Sequence, residues 1–200
     1  MAGELRSHAI HLSDGPLTLR PMGEDDWDAL LQWNNDPEVL YYCEGGDVTA
    51  RPLRQVQQIY RGVSQHAFTF VAELDGRAIG ECWLQEMNLE RILSRYPAEM
   101  DLRRIDLTIG EKSLWGKGWG TRIVALLVRF GFDRCPADAI FACDVADYNP
   151  RSRRAFEKNG FVIDEVIPQD PGRKAGEVYD MVLTRARYEE ASAQRRGGGQ

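Results

Sequence analysis

The chain has no long apolar run, no paired cysteines and no excess of basic residues, and each absence removes a class of function. Cys43, Cys82, Cys135 and Cys143 form no Cys-x-x-Cys pair and have no histidine nearby. That distribution points to reduced thiols and away from zinc ligands, a disulfide frame or a cysteine nucleophile, so no metal is expected. Residues 1–13 hold no apolar stretch of signal-peptide length, and nothing approaches the roughly 20 apolar residues of a membrane span. The expected location is cytoplasmic, with no membrane partner. A formal net charge of -6 argues against non-specific nucleic-acid binding and mildly favours a cationic partner.

What is present suits one compact α/β domain: 200 residues with 43% hydrophobic content bury a substantial core without staples. The arrangement centres on Trp115-Gly116-Lys117-Gly118-Trp119-Gly120-Thr121. Alternate glycines free the backbone of Cβ atoms, so an anion can approach the main-chain N–H groups. The run from 122 to 132 follows with apolar residues at helical spacing, and residues 105–109 precede it as a β-branched strand carrying Asp106. Strand, glycine loop and helix N-terminus together form an anion site. A P-loop is excluded, because Lys117 is followed by Gly118 and residue 111 is Glu; a dinucleotide fingerprint is excluded, because its third glycine falls on Thr121 or Ile123. A tight turn without ligand would use the same glycines.

Around this centre the spacing predicts a loose arm over 1–15, a strand over 17–22, and a helix through Trp27, Leu30, Leu31 and Trp33. Asn34-Asn35-Asp36-Pro37 breaks that helix, and residues 39–51, with Tyr41, Tyr42, Glu44, Gly45, Gly46 and Asp47, read as an irregular loop of the kind that lines sites. A helix starts at Pro52, and a β-hairpin turns at Asp75-Gly76-Arg77. Residues 86–104 have no clear assignment beyond a short helical piece within 89–96. A strand over 139–145, reached by a helix crossover, runs parallel to the Asp106 strand. Asn149-Pro150 opens a further helix, two strands over 161–167 and 177–183 close the domain at 188, and residues 189–200 form a disordered tail. The order gives a mixed sheet covered by helices, with the parallel pair flanking the anion loop.

The stretch from Trp115 to Gly120 resembles the acetyl-CoA loop of the GNAT N-acetyltransferases, Gln/Arg-x-x-Gly-x-Gly/Ala, with Trp at the first position. Arg153-Arg-Ala-Phe-Glu-Lys-Asn-Gly-Phe161 is similar to the family's later helix and turn, Ala-x-x-x-Tyr-Glu-Lys-x-Gly-Phe. Ala50-Arg-Pro, Ile105-Asp106, Asp144 ahead of Asn149, and Val178-Tyr beside Met181-Val further resemble the aminoglycoside 6'-N-acetyltransferases. The similarity spans roughly residues 17 to 188.

This resemblance implies a single-domain GNAT fold over residues 16–188, with a mostly antiparallel mixed sheet, a central parallel pair and helices on both faces. It implies acetyl-CoA as co-substrate, no metal, and direct attack of a primary amine on the thioester in a ternary complex. The amine would be a small cation, first of all the 6'-amine of an aminoglycoside, acetylated by a resistance enzyme acting as monomer or homodimer. It assigns Asp106 to catalysis. An ordinary carboxylate, with a pKa near 4, is a poor direct base for an amine near 10, so Asp106 would hold the ammonium and pass its proton through water. Ile109, Trp115, Gly116, Lys117, Gly118, Trp119, Gly120, Thr121 and Asn149 would bind the cofactor; Tyr42, Asp144 and Asp170 would bind substrate. Asn149 also suits a helix N-cap, and Asp106, Asp144 and Asp170 also suit solvated or capping acids. Phe156 stands where many relatives carry a Tyr that protonates the departing thiolate. Two other readings stay open: a ribosomal-protein or N-terminal protein acetyltransferase, which residues 17–39 and the Trp-Gly-Lys-Gly loop also resemble, and a non-catalytic acyl-CoA-binding domain, suggested by Phe156.

Overall fold

In the computed structural model, which describes residues 4–44 and 50–197, the hairpin is the clearest local product of the sequence. Asp75 and Gly76 both take positive φ, 51° and 78°, as a two-residue turn that matches strand twist requires. They join β3 (Ala67–Leu74) to β4 (Arg77–Glu86). Along β3, Phe70 and Ala72 enter one apolar cluster and Val71 enters another, so the period of two places a core on each face of the sheet. On β4, Ala72 faces Gly80 and Glu73 faces Ala78, leaving Ile79 as a bulge. That extra residue turns Ile79 into the same core as Cys82 and Leu84, while Glu81 and Trp83 share the face of Val71 and Ala78.

Eight strands form one sheet in the order β1-β2-β3-β4-β5-β6-β8-β7. The others are β1 (Leu12–Asp14), β2 (Leu17–Pro21), β5 (Leu102–Ile109), β6 (Ala139–Ala146), β7 (Val162–Pro168) and β8 (Glu177–Thr184). The pair β5–β6 is parallel and the other pairs are antiparallel. This mixed sheet, with its parallel pair inside, agrees with the expected fold class. The long helix α5 (Trp119–Asp133) buries Ile123, Leu126, Leu127 and Phe130 against one face. On the other face, α1 (Trp27–Trp33) and α3 (Leu53–Ser64) bury Trp27, Leu30, Trp33, Val56 and Tyr60.

The parallel pairing covers only Leu102–Ala139, Arg103–Ile140 and Arg104–Phe141. Beyond those residues the two strands have no mutual register, and β6 turns instead toward β8 through a bulge at Cys143 and Asp144, the latter at φ 56°. Residues 105–109 and 142–146 line a cleft where the two strands part.

Four segments differ from expectation. Within the arm, Leu12–Asp14 adds a strand to β2, held by the Asp14 carboxylate 2.7 Å from Arg122 Nε. Tyr41 and Tyr42 lie in helix α2 (Pro37–Cys43) rather than in a loop. Asp36 accepts the N–H groups of Glu38 and Val39 at 2.9 and 3.2 Å, so Asn-Asp-Pro starts a helix as well as ending one. Gly45, Gly46 and Asp47 lie outside the described residues. Residues 86–104 contain α4 (Glu90–Leu93), and the expected disordered tail begins instead inside helix α7 (Arg185–Gly197).

Candidate active site

The glycine loop occupies the N-terminal end of α5. Gly116 and Gly118 adopt φ of 73° and 87°, values that L side chains rarely tolerate, and Gly118 caps the helix. Nothing lies within 4 Å of where a Cβ would sit at either position. Backbone conformation therefore demands these glycines, and the space beside them is free for a ligand. Trp115 Nε1 donates to the Ile109 carbonyl at 2.7 Å, tying the loop to the end of β5. Helix geometry leaves the first-turn N–H groups after Gly118 without intrahelical acceptors, which suits a phosphate.

From this loop a cleft of about 640 Å³ runs between the splayed strands to the face carried by α2 and α3. It brings together most of the residues expected from the sequence: Asp106, Ile109, Trp115, Gly116, Gly118, Gly120, Thr121, Asn149, Tyr42 and Asp144 all line it. Lys117, Trp119 and Asp170 do not. Trp119 lies under the Arg122 guanidinium, which sits 4.8 Å from its ring and is itself occupied by Asp14. Asp170 lies in the β7–β8 connection, which reaches α2 from outside through Lys174 Nζ, a donor to the Tyr41 carbonyl at 2.6 Å.

Asn149 fills the expected cap position and also bridges to α2. Its Oδ1 accepts from Ser152 N at 3.3 Å as the cap of α6 (Pro150–Glu157), and its Nδ2 donates to the Tyr42 carbonyl at 3.4 Å. Next to it, Arg151 lies over the rings of Tyr42 and Trp115, 4.3 and 4.5 Å from their centroids. That position was not legible in the sequence, because it depends on α2 approaching the glycine loop. Phe156 is buried in the wall of the cleft and packs edge-on to Phe161 at 5.1 Å.

Both expected acids in the cleft already have partners. Arg104 Nε and Nη2 each donate to Asp106 at 2.8 Å, a bidentate pair. Asp144 receives Arg91 Nη2 at 2.9 Å, and Arg91 also grips the fully buried Asp180. The residues that sequence reading left unassigned thus supply the countercharge. A third acid was missed altogether: Glu81, only 3% exposed, lines the cleft, and its Oε2 has no hydrogen-bond partner among the described residues. Burial pushes its pKa up to about 8, with the Asp106 and Glu44 charges adding to the rise and Thr108 and Tyr60 opposing it.

The cleft thus has open space beside the glycine loop at one end, splayed strands along its length and carboxyl groups at the other end. Residues 16–162 match the family model described as Acetyltransferase (GNAT) domain, and the chain belongs to this family of acetyltransferases. The chain is similar to several named acetyltransferases. Aminoglycoside N(6')-acetyltransferase type 1 of Klebsiella pneumoniae is 29% identical over 191 residues, covering 88% of this chain and 87% of that protein. The crystal structure of aminoglycoside acetyltransferase AAC(6')-Ib with coenzyme A and kanamycin superposes with a TM-score of 0.73 at 26% identity, covering 88% of this chain and 99% of that one. The same enzyme with paromomycin and acetyl-CoA gives a TM-score of 0.72 at 27% identity, covering 86% of this chain and 96% of that one. The expected GNAT fold and acetyltransferase class hold. Among the described residues no helix is long and apolar enough to cross a membrane.

Proposed function

We propose that this acetyltransferase moves the acetyl group of acetyl-CoA onto a primary amine of an aminoglycoside-like substrate, with the 6'-amine as the leading target. The reading is carried by one observation: the cleft that starts at the Gly116–Gly118 cradle ends among Glu81, Asp106 and Asp144. Pyrophosphate would lie on the loop and the first turn of α5, with Arg151, Arg154 and Lys158 near its phosphates. Asn149 and the free edges of β5 and β6 would hold the pantetheine arm, and Tyr42 and Asp144 would meet the substrate. The amine nitrogen attacks the thioester carbonyl directly, the C–S bond breaks, and water protonates the thiolate, since Phe156 has no proton to give. Asp106 holds the ammonium in line through its lone pairs not used by Arg104. Asp170 would act only at the rim, where the β7–β8 connection meets α2.

Support comes from a relative crystallised with two different aminoglycosides. A second reading, acetylation of a protein or peptide N-terminus, is favoured by the pairing of Arg104 with Asp106 and of Arg91 with Asp144, because such pairs leave less uncompensated charge for a polycation. Following thiol release from acetyl-CoA with kanamycin, ribostamycin and a panel of peptides separates the two. Turnover above background with the aminoglycosides is expected; turnover with peptides alone would overturn the substrate assignment.

A further inference from the structure

The connection between β7 and β8, residues 169–176, carries a cation into a group of aromatic rings. At its neck Gln169 N–H donates to the Gly176 carbonyl at 3.0 Å, and the N–H groups of Gly176 and Glu177 donate to Asp147 Oδ2 at 3.0 and 3.2 Å. The neck is therefore fixed to the segment before α6 without help from the tip. At the tip Arg173 N–H donates to the Asp170 carbonyl at 3.1 Å, and the next residue, Lys174, reaches α2.

Lys174 Nζ lies over the ring of Tyr41 and 3.6 Å from the centroid of Tyr148, with the Tyr42 centroid 5.7 Å away. Tyr41 stands edge-on to Tyr42 at 5.0 Å and lies 5.7 Å from Tyr148, so the three rings form one wall. The remaining contact is the Tyr41 carbonyl, 2.6 Å from Nζ, in the last turn of α2, where the helix dipole favours positive charge. Ring faces and a carbonyl together recognise an alkylammonium by its charge. No carboxylate joins them. Lys174 makes no ion pair among the described residues, Asp147 Oδ2 is taken by two backbone N–H groups, and desolvation lowers the pKa of the ammonium. A lysine held this way is bound as a cationic ligand would be. The place is open to solvent and adjoins the cleft: Tyr41 is 46% exposed, and Tyr42 and Asn149, the sequence neighbours of Tyr41 and Tyr148, line the cleft.

We propose that Tyr148, the Tyr41 ring and the Tyr41 carbonyl form a cation subsite at the rim of the cleft, which Lys174 occupies in the free protein and which a second, non-reacting ammonium of a polycationic substrate takes over. The inference rests on the amine-acetyltransferase reading above. The exchange is nearly balanced, because one alkylammonium replaces another on the same rings and the released Lys174 regains its hydration. As an intramolecular competitor, Lys174 lowers the apparent affinity for a polycation by the fraction of the protein in which it holds the subsite. A monoamine needs only the reacting position, so Lys174 does not affect it.

Kanamycin affinity is measured by calorimetry, without acetyl-CoA, for the parent protein, Lys174→Ala, Lys174→Arg, Tyr148→Leu and the double substitution Lys174→Ala with Tyr148→Leu. Lys174→Ala should bind kanamycin about fivefold more tightly, while Lys174→Arg, which keeps a cation on the rings, should stay within about twofold of the parent. Tyr148→Leu alone should change little, and in the double substitution it should abolish the gain. Acetyl-CoA affinity should be the same in the parent and Lys174→Ala, because the neck of the connection is held independently. A Lys174→Ala protein that binds kanamycin no more tightly than the parent, or a gain that survives Tyr148→Leu, overturns the proposal. Joint loss of kanamycin and acetyl-CoA affinity in Lys174→Ala also overturns it, since that is what a mere brace on α2 would give. Turnover is read separately. The KM of benzylamine should be unchanged in Lys174→Ala, and a fall as large as that for kanamycin counts against the subsite. A parent protein that shows the binding shifts but acetylates no amine sinks the acetyltransferase reading and leaves the cation subsite standing.

Discussion

Gly118 and Glu81 show two ways in which a single residue shapes the cleft. Gly118 holds φ 87° with open space where a Cβ would be, so replacing it by alanine brings strain without a clash. Gly118→Ala should cost about 1 kcal/mol of stability, read from urea unfolding, and should weaken acetyl-CoA binding, since the loop can relax only by tilting the first-turn N–H groups. Glu81 acts through its charge state. Its pKa is raised from 4.5 to about 8 by folding, so the unfolded chain ionises first as pH rises. The stability due to the neutral buried form is intact below pH 4.5 and declines until the folded group itself ionises near pH 8. Over that window, unfolding free energy should fall by at most about 1.4 kcal/mol per pH unit from this group, and the curve for Glu81→Gln should be flatter. Parallel slopes in the two proteins would contradict the burial argument. The glycines could be found from sequence because their backbone requirement is written in consecutive residues. Glu81 could not, because the bulge at Ile79 and the packing of α3 decide which face it takes and how deeply it is buried.

At the scale of elements, the parts legible in sequence are those with a local cause. The hairpin at Asp75-Gly76, the cap at Asn149-Pro150 and the apolar stripe of α5 each carry their own signal, and each lies where the residues point. The parallel pair followed from the crossover rule, but its splay after Arg104 and Phe141 has no local signature, and with it the width of the cleft. Helix α2 has no unambiguous local signal, because Asn-Asp-Pro ends one helix and starts the next. Its cap makes the element testable: Asp36 accepts two backbone N–H groups and lies 2.9 Å from Lys112 Nζ, tying α2 to the segment before the glycine loop. Asp36→Ala should lower stability by about 1 kcal/mol. Because α2 lines the cleft with Val39, Leu40 and Tyr42, the KM for the amine should rise severalfold. An unchanged KM in a protein of measurably lower stability would show that α2 contributes to folding without shaping the acceptor site.

At the scale of the whole molecule, a formal charge of -6 suggests attraction for cations, yet the cleft distributes charge differently. Away from the glycine loop, Asp106 is paired with Arg104, Asp144 with Arg91 and Glu44 with Arg51. Toward the glycine loop, Arg151, Arg154 and Lys158 line the cleft and make no ion pair among the described residues. On the proposed reading, long-range attraction for a cationic amine would be weak at the carboxyl end, while the phosphates of acetyl-CoA would meet uncompensated positive charge. Salt separates the two contributions, since at about 0.1 M it screens exposed charges beyond roughly 10 Å. Raising ionic strength from about 0.05 to 0.5 M should increase the KM for acetyl-CoA several times more than the KM for the amine. Arg151→Ala should flatten the acetyl-CoA response and leave that of the amine nearly unchanged. If the amine response proves equally steep with kanamycin but shallow with a monoamine, the arginine pairs on Asp106 and Asp144 must open to receive a polycation, and the aminoglycoside reading gains over the peptide one.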